Sequence, residues 1–333
     1  MVNLDVNNKK EIEEIIKNLA ITKQLNFLIG SGVSMPAIPL MSMVPGTDEE
    51  EKNENLVKEI RKISKNILKE DFSVKKVEQT YRNYCRFLFQ VIQLLNMSNS
   101  RQVPRSVNLF TTNYDLFIEK AIDKLSIENR FVFNDGANGY FKRYIDSSNY
   151  NRVVSYKGLN DNYINEIPSI NLIKPHGSVN WKQENDRILV NNDVVDDCVV
   201  VKPTGIEGQE TFLNNYFHDM LRMFQLELDK PQSVLFVIGF SFQDKHIAKM
   251  FKRALQNCEL LAYIFCYSND EVETILENLD LEDGRYNLRI FSPKDFDDSI
   301  LEENIDELDD EEIWYSFTIN SLTKIFEGIQ DDR

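Results

Sequence analysis

The sequence has few cysteines, few glycines and prolines, and a deficit of basic residues. The four cysteines, Cys85, Cys198, Cys258 and Cys266, form no CxxC pair, so neither a disulfide framework nor a four-thiolate zinc site is predicted. Twelve glycines and nine prolines among 333 residues exclude a collagen-like or low-complexity chain. The 38 Lys and Arg against 54 Asp and Glu leave a net charge of −16, which argues against nucleic-acid binding through phosphate neutralisation.

Long apolar runs are also missing. No stretch approaches the roughly 18 residues that a membrane-spanning helix needs. The N-terminal segment MVNLDVNNKKEIEEIIKN is too charged for a signal peptide. We therefore expect a cytoplasmic protein that binds no membrane, with enough apolar residues, 42% of the total, for one large globular domain.

Short apolar runs separated by segments with helical spacing predict an α/β fold. We expect a Rossmann-like parallel sheet of about six strands, with helices on both faces and an inserted helical module. The candidate strands are Gln24–Ile29, Ser106–Phe110, Ile170–Lys174, Asp197–Val201, Val234–Ile238, Ala262–Cys266 and Leu288–Phe291.

The sequence shows no internal repeat and no linker, so we interpret residues 1–333 as one domain. The Rossmann-like core is expected at residues 20–48, 101–125 and 170–292, with a helical insertion at 49–100 and an irregular or helical insertion at 126–169. An acidic segment and a helix are expected at 293–330, where the following apolar residues recur at roughly helical spacing: Ile313, Phe317, Leu322, Ile325 and Phe326.

The first strand runs into the turn GSGVS at residues 30–34. Small residues there would let backbone N–H groups approach a phosphate before the next helix begins. The alternative is an ordinary Gly-rich exit from a sheet. The turn lacks the GxGxxG pattern of hydride-transfer dehydrogenases, which argues against that class.

Polar motifs follow two further strands. TTNYD at residues 111–115 places the amide of Asn113 and the carboxylate of Asp115 at a strand end, where they could bind a ligand or cap the next helix. KPHGS at residues 174–178 places His176 before Gly177, a position suited to acid–base chemistry or to a structural hydrogen bond.

A fourth motif, GFSFQDKH at residues 239–246, follows the strand at 234–238. We interpret Asp244 as a helix cap. His246 lies inside the helical pattern, and we interpret it as structural. Because parallel strands end at the same edge of a sheet, the four motifs are expected to meet in one site.

The motifs GSGVS, TTNYD, KPHGSVNW and GFSFQDKHI occur in the order and spacing of the sirtuin-like NAD-binding domain. The chain resembles that family over most of residues 24–269. It is most similar to the bacterial sirtuin-like proteins of antiphage defence, which hydrolyse NAD and do not deacylate proteins. The resemblance implies NAD+ as substrate.

The resemblance also implies roles for individual residues. Asn113 would lie at the ribose and the attacking water, Asp115 at the nicotinamide carboxamide, and His176 would be the catalytic histidine. The residues implied to bind NAD+ are Gly30, Ser31, Gly32, Ser34, Thr112, Gly177, Gly239, Ser241, Ser268 and Asn269.

Three features depart from the family pattern. Ser31 replaces the usual Ala, and Thr112 replaces a Gln whose contact is therefore in question. The two CxxC pairs that form a zinc ribbon in protein-deacylating sirtuins are absent, so no metal is expected.

The motifs and the resemblance predict an NAD+ glycohydrolase that releases nicotinamide and ADP-ribose. The resemblance further implies a regulated NAD-depleting effector of antiphage defence. A cyclic product stays open. The alternatives are an NAD-dependent protein deacylase or ADP-ribosyltransferase, and a non-enzymatic module that binds NAD or ADP-ribose. The resemblance implies other copies of the chain and a separately encoded HerA-like motor ATPase as partners.

Overall fold

A sheet of seven parallel strands forms the centre of the molecule. From one edge to the other, its strands are β12 (Leu288–Phe291), β11 (Leu261–Phe265), β10 (Ser233–Ile238), β1 (Gln24–Ile29), β2 (Ser106–Thr111), β6 (Ser169–Ile173) and β3 (Val132–Asn134). The predicted α/β class and parallel sheet are confirmed. The sheet has seven strands where about six were expected, and β3 comes from the segment predicted to be irregular or helical.

The computed structural model describes residues 9–97, 103–156, 166–202, 215–281, 285–305 and 313–331. In these ranges the helices are α1 (Lys9–Thr22), α2 (Glu49–Leu68), α3 (Lys75–Met97), α4 (Phe117–Leu125), α5 (Asn215–Leu228), α6 (Lys245–Ala254), α7 (Glu271–Asn278) and α8 (Ile319–Asp331). None of the helices in the described ranges is long and apolar enough to cross a membrane.

The strands at the centre of the sheet are buried on both faces. Every residue of β1 and of β10 is buried, as expected for mainly apolar strands that helices cover on each side. Apolar side chains pack into two clusters, and alternate residues of β1 and of β10 contribute to each one. The carboxyl ends of these strands therefore lie at the edge of a sheet that is packed on both faces.

A second sheet has five antiparallel strands. They are β4 (Ala137–Asn138), β5 (Arg143–Ile145), β8 (Arg187–Val190), β7 (Gly177–Glu184) and β9 (Cys198–Val200). The prediction that residues 197–201 form a strand of the parallel sheet is therefore wrong, because β9 pairs antiparallel with β7. A short apolar run predicts a strand, but it carries no information on which sheet the strand joins.

Two helices, α2 and α3, occupy the segment predicted as a helical insertion. Asp48 caps α2, since its side chain accepts from the backbone N–H of Glu51. Near the C-terminus, an antiparallel hairpin of β13 (Glu302–Ile305) and β14 (Ile313–Ser316) precedes α8. Ile313 thus belongs to a strand and Phe317 precedes the helix, so the expected helical spacing begins too early. The acidic run at 306–312 lies outside the described residues.

Candidate active site

The four polar motifs meet at the carboxyl edge of the parallel sheet, around a cavity of about 340 Å³. The predicted site residues that line it are Ser31, Ser34, Thr112, Asn113, Asp115, His176, Gly239 and Ser241. Asp244, which the sequence identified only as a cap, lines the same cavity. The expected convergence of the motifs therefore occurs in the fold.

The first and fourth motifs pack against each other through their backbones. The N–H of Gly30 donates to the carbonyl of Ile238, and the N–H of Gly32 donates to the carbonyl of Gly239, both at 3.0 Å. A Cβ on Gly30 would lie 2.1 Å from the carbonyl oxygen of Gly239. This close approach accounts for glycine at position 30 without a ligand, so the phosphate-binding role of the turn stays a prediction.

Asn113 is fixed by three hydrogen bonds at the end of β2. Its side-chain Nδ2 donates to the carbonyl of Gly30 at 3.0 Å and to Oγ of Ser34 at 3.2 Å, and its backbone N–H donates to Oγ1 of Thr111 at 3.1 Å. Its amide oxygen is buried and has no hydrogen-bond partner within the described ranges. Asn113 lines the cavity, and an unsatisfied buried acceptor is the kind of group that a hydroxyl or water bound beside it would satisfy.

Asp115 is buried, and both of its carboxylate oxygens accept hydrogen bonds from the protein. One carboxylate oxygen accepts from Oγ of Ser34 at 2.8 Å, and the other accepts from the backbone N–H of Phe117 at the start of α4, at 3.2 Å. Burial raises the pKa of this carboxyl above its ordinary value, although Lys174 and the two hydrogen bonds oppose the increase. Asp115 therefore holds a proton more readily than a carboxyl in water does.

The inserted helix α3 contributes a residue to this network that sequence reasoning missed. The hydroxyl of Tyr84 lies 3.0 Å from Oγ of Ser34, and its buried ring stacks on Phe117 with centroids 5.3 Å apart. The hydroxyl of Ser34 thus joins Tyr84 to Asp115 and Asn113. The amphipathic pattern of α3 could have indicated that Tyr84 is buried, but not that it reaches this site.

We expect Tyr84→Phe to lower the free energy of unfolding by about 1 kcal/mol, because it removes one buried hydrogen bond. If Ser34 loses its orientation, catalytic turnover should fall about threefold to tenfold. Tyr81→Phe is the matched control, since it removes the same group from the same helix away from the cavity. Equal turnover of the two variants would show that α3 does not support the site.

His176 lies in the loop between β6 and β7. Its carbonyl accepts from the backbone N–H of Val201 at 2.9 Å. Gly177, which follows, has φ +85°, and a Cβ there would lie 2.1 Å from the carbonyl oxygen of Val199, so a side chain at this position would be strained. The hydroxyl of Tyr114 also donates to the carbonyl of Val201. The second sheet therefore fixes the backbone of the histidine.

Asp244 has two contacts where the sequence predicted one. Its Oδ1 accepts from the backbone N–H groups of His246 and Ile247 at 2.8 and 3.1 Å, which confirms the helix cap on α6. Its Oδ2 lies 3.0 Å from Nε2 of His176. Burial alone would raise the pKa of Asp244, but His176 and the two N–H groups outweigh burial and lower the pKa. The carboxylate is therefore ionised at neutral pH.

Lys174 holds together the loops that carry the site residues, although it does not itself line the cavity. Its Nζ donates to the carbonyl of Asp115 at 2.6 Å, to a carboxylate oxygen of Glu119 at 2.8 Å and to Oγ of Ser178 at 3.1 Å. The lysine side chain is only 3% exposed. Burial raises the pKa of Glu119, although the charge and hydrogen bond of Lys174 oppose this. The lysine thus ties the loop after β2 to the loop after β6.

Ser268 and Asn269 are not brought together with the other predicted residues. They line a separate cavity of about 480 Å³ beyond the end of β11, next to the C-terminal hairpin. Oδ1 of Asn269 accepts from the backbone N–H of Lys294 at 3.3 Å. Their assignment to NAD+ stays a prediction. Among the described residues, no cluster of three or more His, Cys, Asp or Glu side chains is arranged to hold a metal.

Comparison with known proteins agrees with this arrangement of motifs. A family described as the SIR2-like domain matches residues 107–289, more than half of the chain. The match contains the motifs at 111–115, 174–178 and 239–246, and it begins after the turn at 30–34 and the helices α2 and α3. No curated protein matches the chain. The chain therefore belongs to the SIR2-like domain family, whose members are NAD-dependent enzymes.

Proposed function

We propose that the chain is an NAD+ glycohydrolase that cleaves the bond between nicotinamide and ribose. The observation that carries this proposal is the buried amide oxygen of Asn113, which lacks a partner in the described structure. Asn113 lines a cavity that Asp115 and His176 also line. An acceptor in that position could orient a water molecule or a ribose hydroxyl.

The size and charge of the cavity support binding of the nicotinamide riboside half of NAD+. Its volume of about 340 Å³ is near the lower end of the range of about 300–1,000 Å³ for small-molecule sites. Its described lining includes Asp115 and Asp244 but no lysine or arginine. Such a lining favours the positively charged nicotinamide ring over the diphosphate, which we place towards the turn at residues 30–34.

When bound, NAD+ supplies a leaving group whose departure develops oxocarbenium-like positive charge on the ribose. Asn113 would hold water beside the anomeric carbon. Asp115 would accept a hydrogen bond from the nicotinamide carboxamide and fix its orientation. His176 would bind a ribose hydroxyl or take the proton of the attacking water. The carboxylate of Asp244 would favour developing positive charge in the cavity.

The apolar wall of the cavity favours water as the acceptor. It consists of Leu56 and Ile60 of α2 and of three residues from the segment before that helix, Ile38, Pro39 and Met41. A peptide that binds as an added strand needs an exposed strand edge, and neither α2 nor the segment of residues 38–41 forms a strand on this wall. This favours hydrolysis over transfer to a peptide.

Such an enzyme would deplete NAD in its own cell and therefore needs control. We infer a regulated effector of antiphage defence that acts in the cytoplasm as a homo-oligomer. A HerA-like motor ATPase remains the proposed partner. These parts of the proposal rest on the resemblance to sirtuin-like defence proteins.

The proposal is tested by measuring nicotinamide release from NAD+ by chromatography, without any peptide. We expect release by the wild type and a rate lower by roughly 10²–10⁴-fold in His176→Ala, because a general acid–base group is lost. Release only on addition of an acylated peptide would instead identify a deacylase. NAD+ binding without release, unchanged in His176→Ala, would identify a binding module.

A further inference from the structure

Asp244 and His176 form a largely buried pair among the residues that line the cavity. Their side chains are 10% and 9% exposed, and Oδ2 of Asp244 lies 3.0 Å from Nε2 of His176. The Nε2–H bond of His176 does not point directly at Oδ2, so the contact is close but does not have hydrogen-bond geometry. The χ2 torsion of histidine is broad, so the imidazole can turn towards this oxygen at a small torsional cost.

The backbone of α6 fixes the carboxylate in one orientation. Oδ1 of Asp244 accepts from two consecutive backbone N–H groups, those of His246 and Ile247. With Oδ1 held in this way, Oδ2 is left facing His176. Nearby backbone N–H groups and the positive end of the helix also favour the ionised form.

We propose that Asp244 is a positioning residue for His176. Oδ2 of Asp244 accepts a hydrogen bond from Nε2–H of His176 and thereby sets the tautomer and the orientation of the imidazole. A neutral imidazole with its proton on Nε2 presents Nδ1 as the acceptor. The hydrogen-bond partner of one ring nitrogen determines which nitrogen carries the proton. The catalytic consequence rests on the proposed function, whereas the tautomer does not.

Asp244→Asn is the test variant. Asn is as good an N-cap as Asp, so Oδ1 can still accept from α6 while an NH₂ group replaces Oδ2. That group donates to Nε2 and should shift the proton of His176 to Nδ1. The chain has three histidines, so histidine-selective ¹⁵N NMR should show this change at His176, identified by its missing signals in His176→Ala, with His218 as the internal reference.

Asp48→Asn is the matched control. Asp48 caps α2 by accepting from the backbone N–H of Glu51 at 2.8 Å, so the variant makes the same chemical change at a helix start without a histidine contact. It should leave the His176 signals and nicotinamide release unchanged. Asp244→Asn should lower kcat about 10- to 100-fold, as loss of an orienting partner does, with KM nearly constant.

The two readouts separate the possible failures. Identical His176 signals in the wild type and Asp244→Asn would overturn the positioning role, whatever the activity. A changed tautomer with unchanged kcat would overturn its importance for the reaction. If the wild type released no nicotinamide, the proposed function would fail, and the NMR comparison would still decide the role of Asp244.

Discussion

Replacing Asn113 with alanine should reduce nicotinamide release by about 100-fold or more, because the group that positions the attacking water is lost. The variant also removes the donor to Gly30 and Ser34, so some loss of stability is expected. The measurement is the initial rate of nicotinamide release by chromatography, alongside a thermal unfolding midpoint for each protein.

Asn180→Ala separates the chemical effect from the structural one. Asn180 has the same 8% exposure as Asn113, its Nδ2 donates to the carbonyl of Asn191, and its amide oxygen is likewise buried without a partner in the described ranges. It does not line the cavity. We expect this control to release nicotinamide at nearly the wild-type rate. Equal rates for the two variants would remove Asn113 from the mechanism.

The central strands were predictable because burial on both faces leaves a clear local pattern. β1 begins and ends where the sequence predicted, and β10 differs by one residue. The edge strand β12 also has its predicted bounds. β3 was missed, since three partly exposed residues at a sheet edge carry no continuous apolar run. β9 was assigned to the wrong sheet because strand direction depends on the partner, and nothing within its own residues specifies β7.

The convergence of the site was also predictable, because the parallel strands that carry the motifs end at one edge. The contacts that hold the site were not. The contact of Tyr84 with Ser34 and that of Asp244 with His176 join residues far apart in the sequence. Only packing of α3 and the start of α6 against the sheet edge brings them together, and local propensity does not encode this packing.

The second large effect is expected from replacing the buried Lys174, which should destabilise the fold. Lys174→Met should lower the free energy of unfolding by about 3 kcal/mol, because removing one partner of a buried ion pair leaves the other charge uncompensated. We take the lower end of the usual range since the side chain of Glu119 is 22% exposed. The loop after β2 also loses its donor to the carbonyl of Asp115, so nicotinamide release should fall as well.

The loss should depend on pH. Burial raises the pKa values of Asp115 and Glu119, and the charge of Lys174 opposes this increase. Both pKa values should therefore rise further in Lys174→Met. A carboxyl with a raised pKa still binds a proton in the folded state at a pH where the unfolded state has lost it. The free energy of unfolding therefore falls as the pH increases above the ordinary pKa of the carboxyl. Urea unfolding should show a larger deficit at about pH 7 than at about pH 5.

Two further variants test whether the buried charge is the cause. Lys120→Met changes the residue next to Glu119 in α4. Lys120 pairs at 3.0 Å with Glu70, whose side chain is 69% exposed. This variant should lower the free energy of unfolding by at most about 1 kcal/mol. Adding Glu119→Leu to Lys174→Met removes the uncompensated charge and should restore much of the stability. If Lys174→Met were as mild as Lys120→Met, or if Glu119→Leu made it worse, the charge of Glu119 would not explain the role of the lysine. Any loss of stability in Lys174→Met would then come from its lost hydrogen bond to the carbonyl of Asp115.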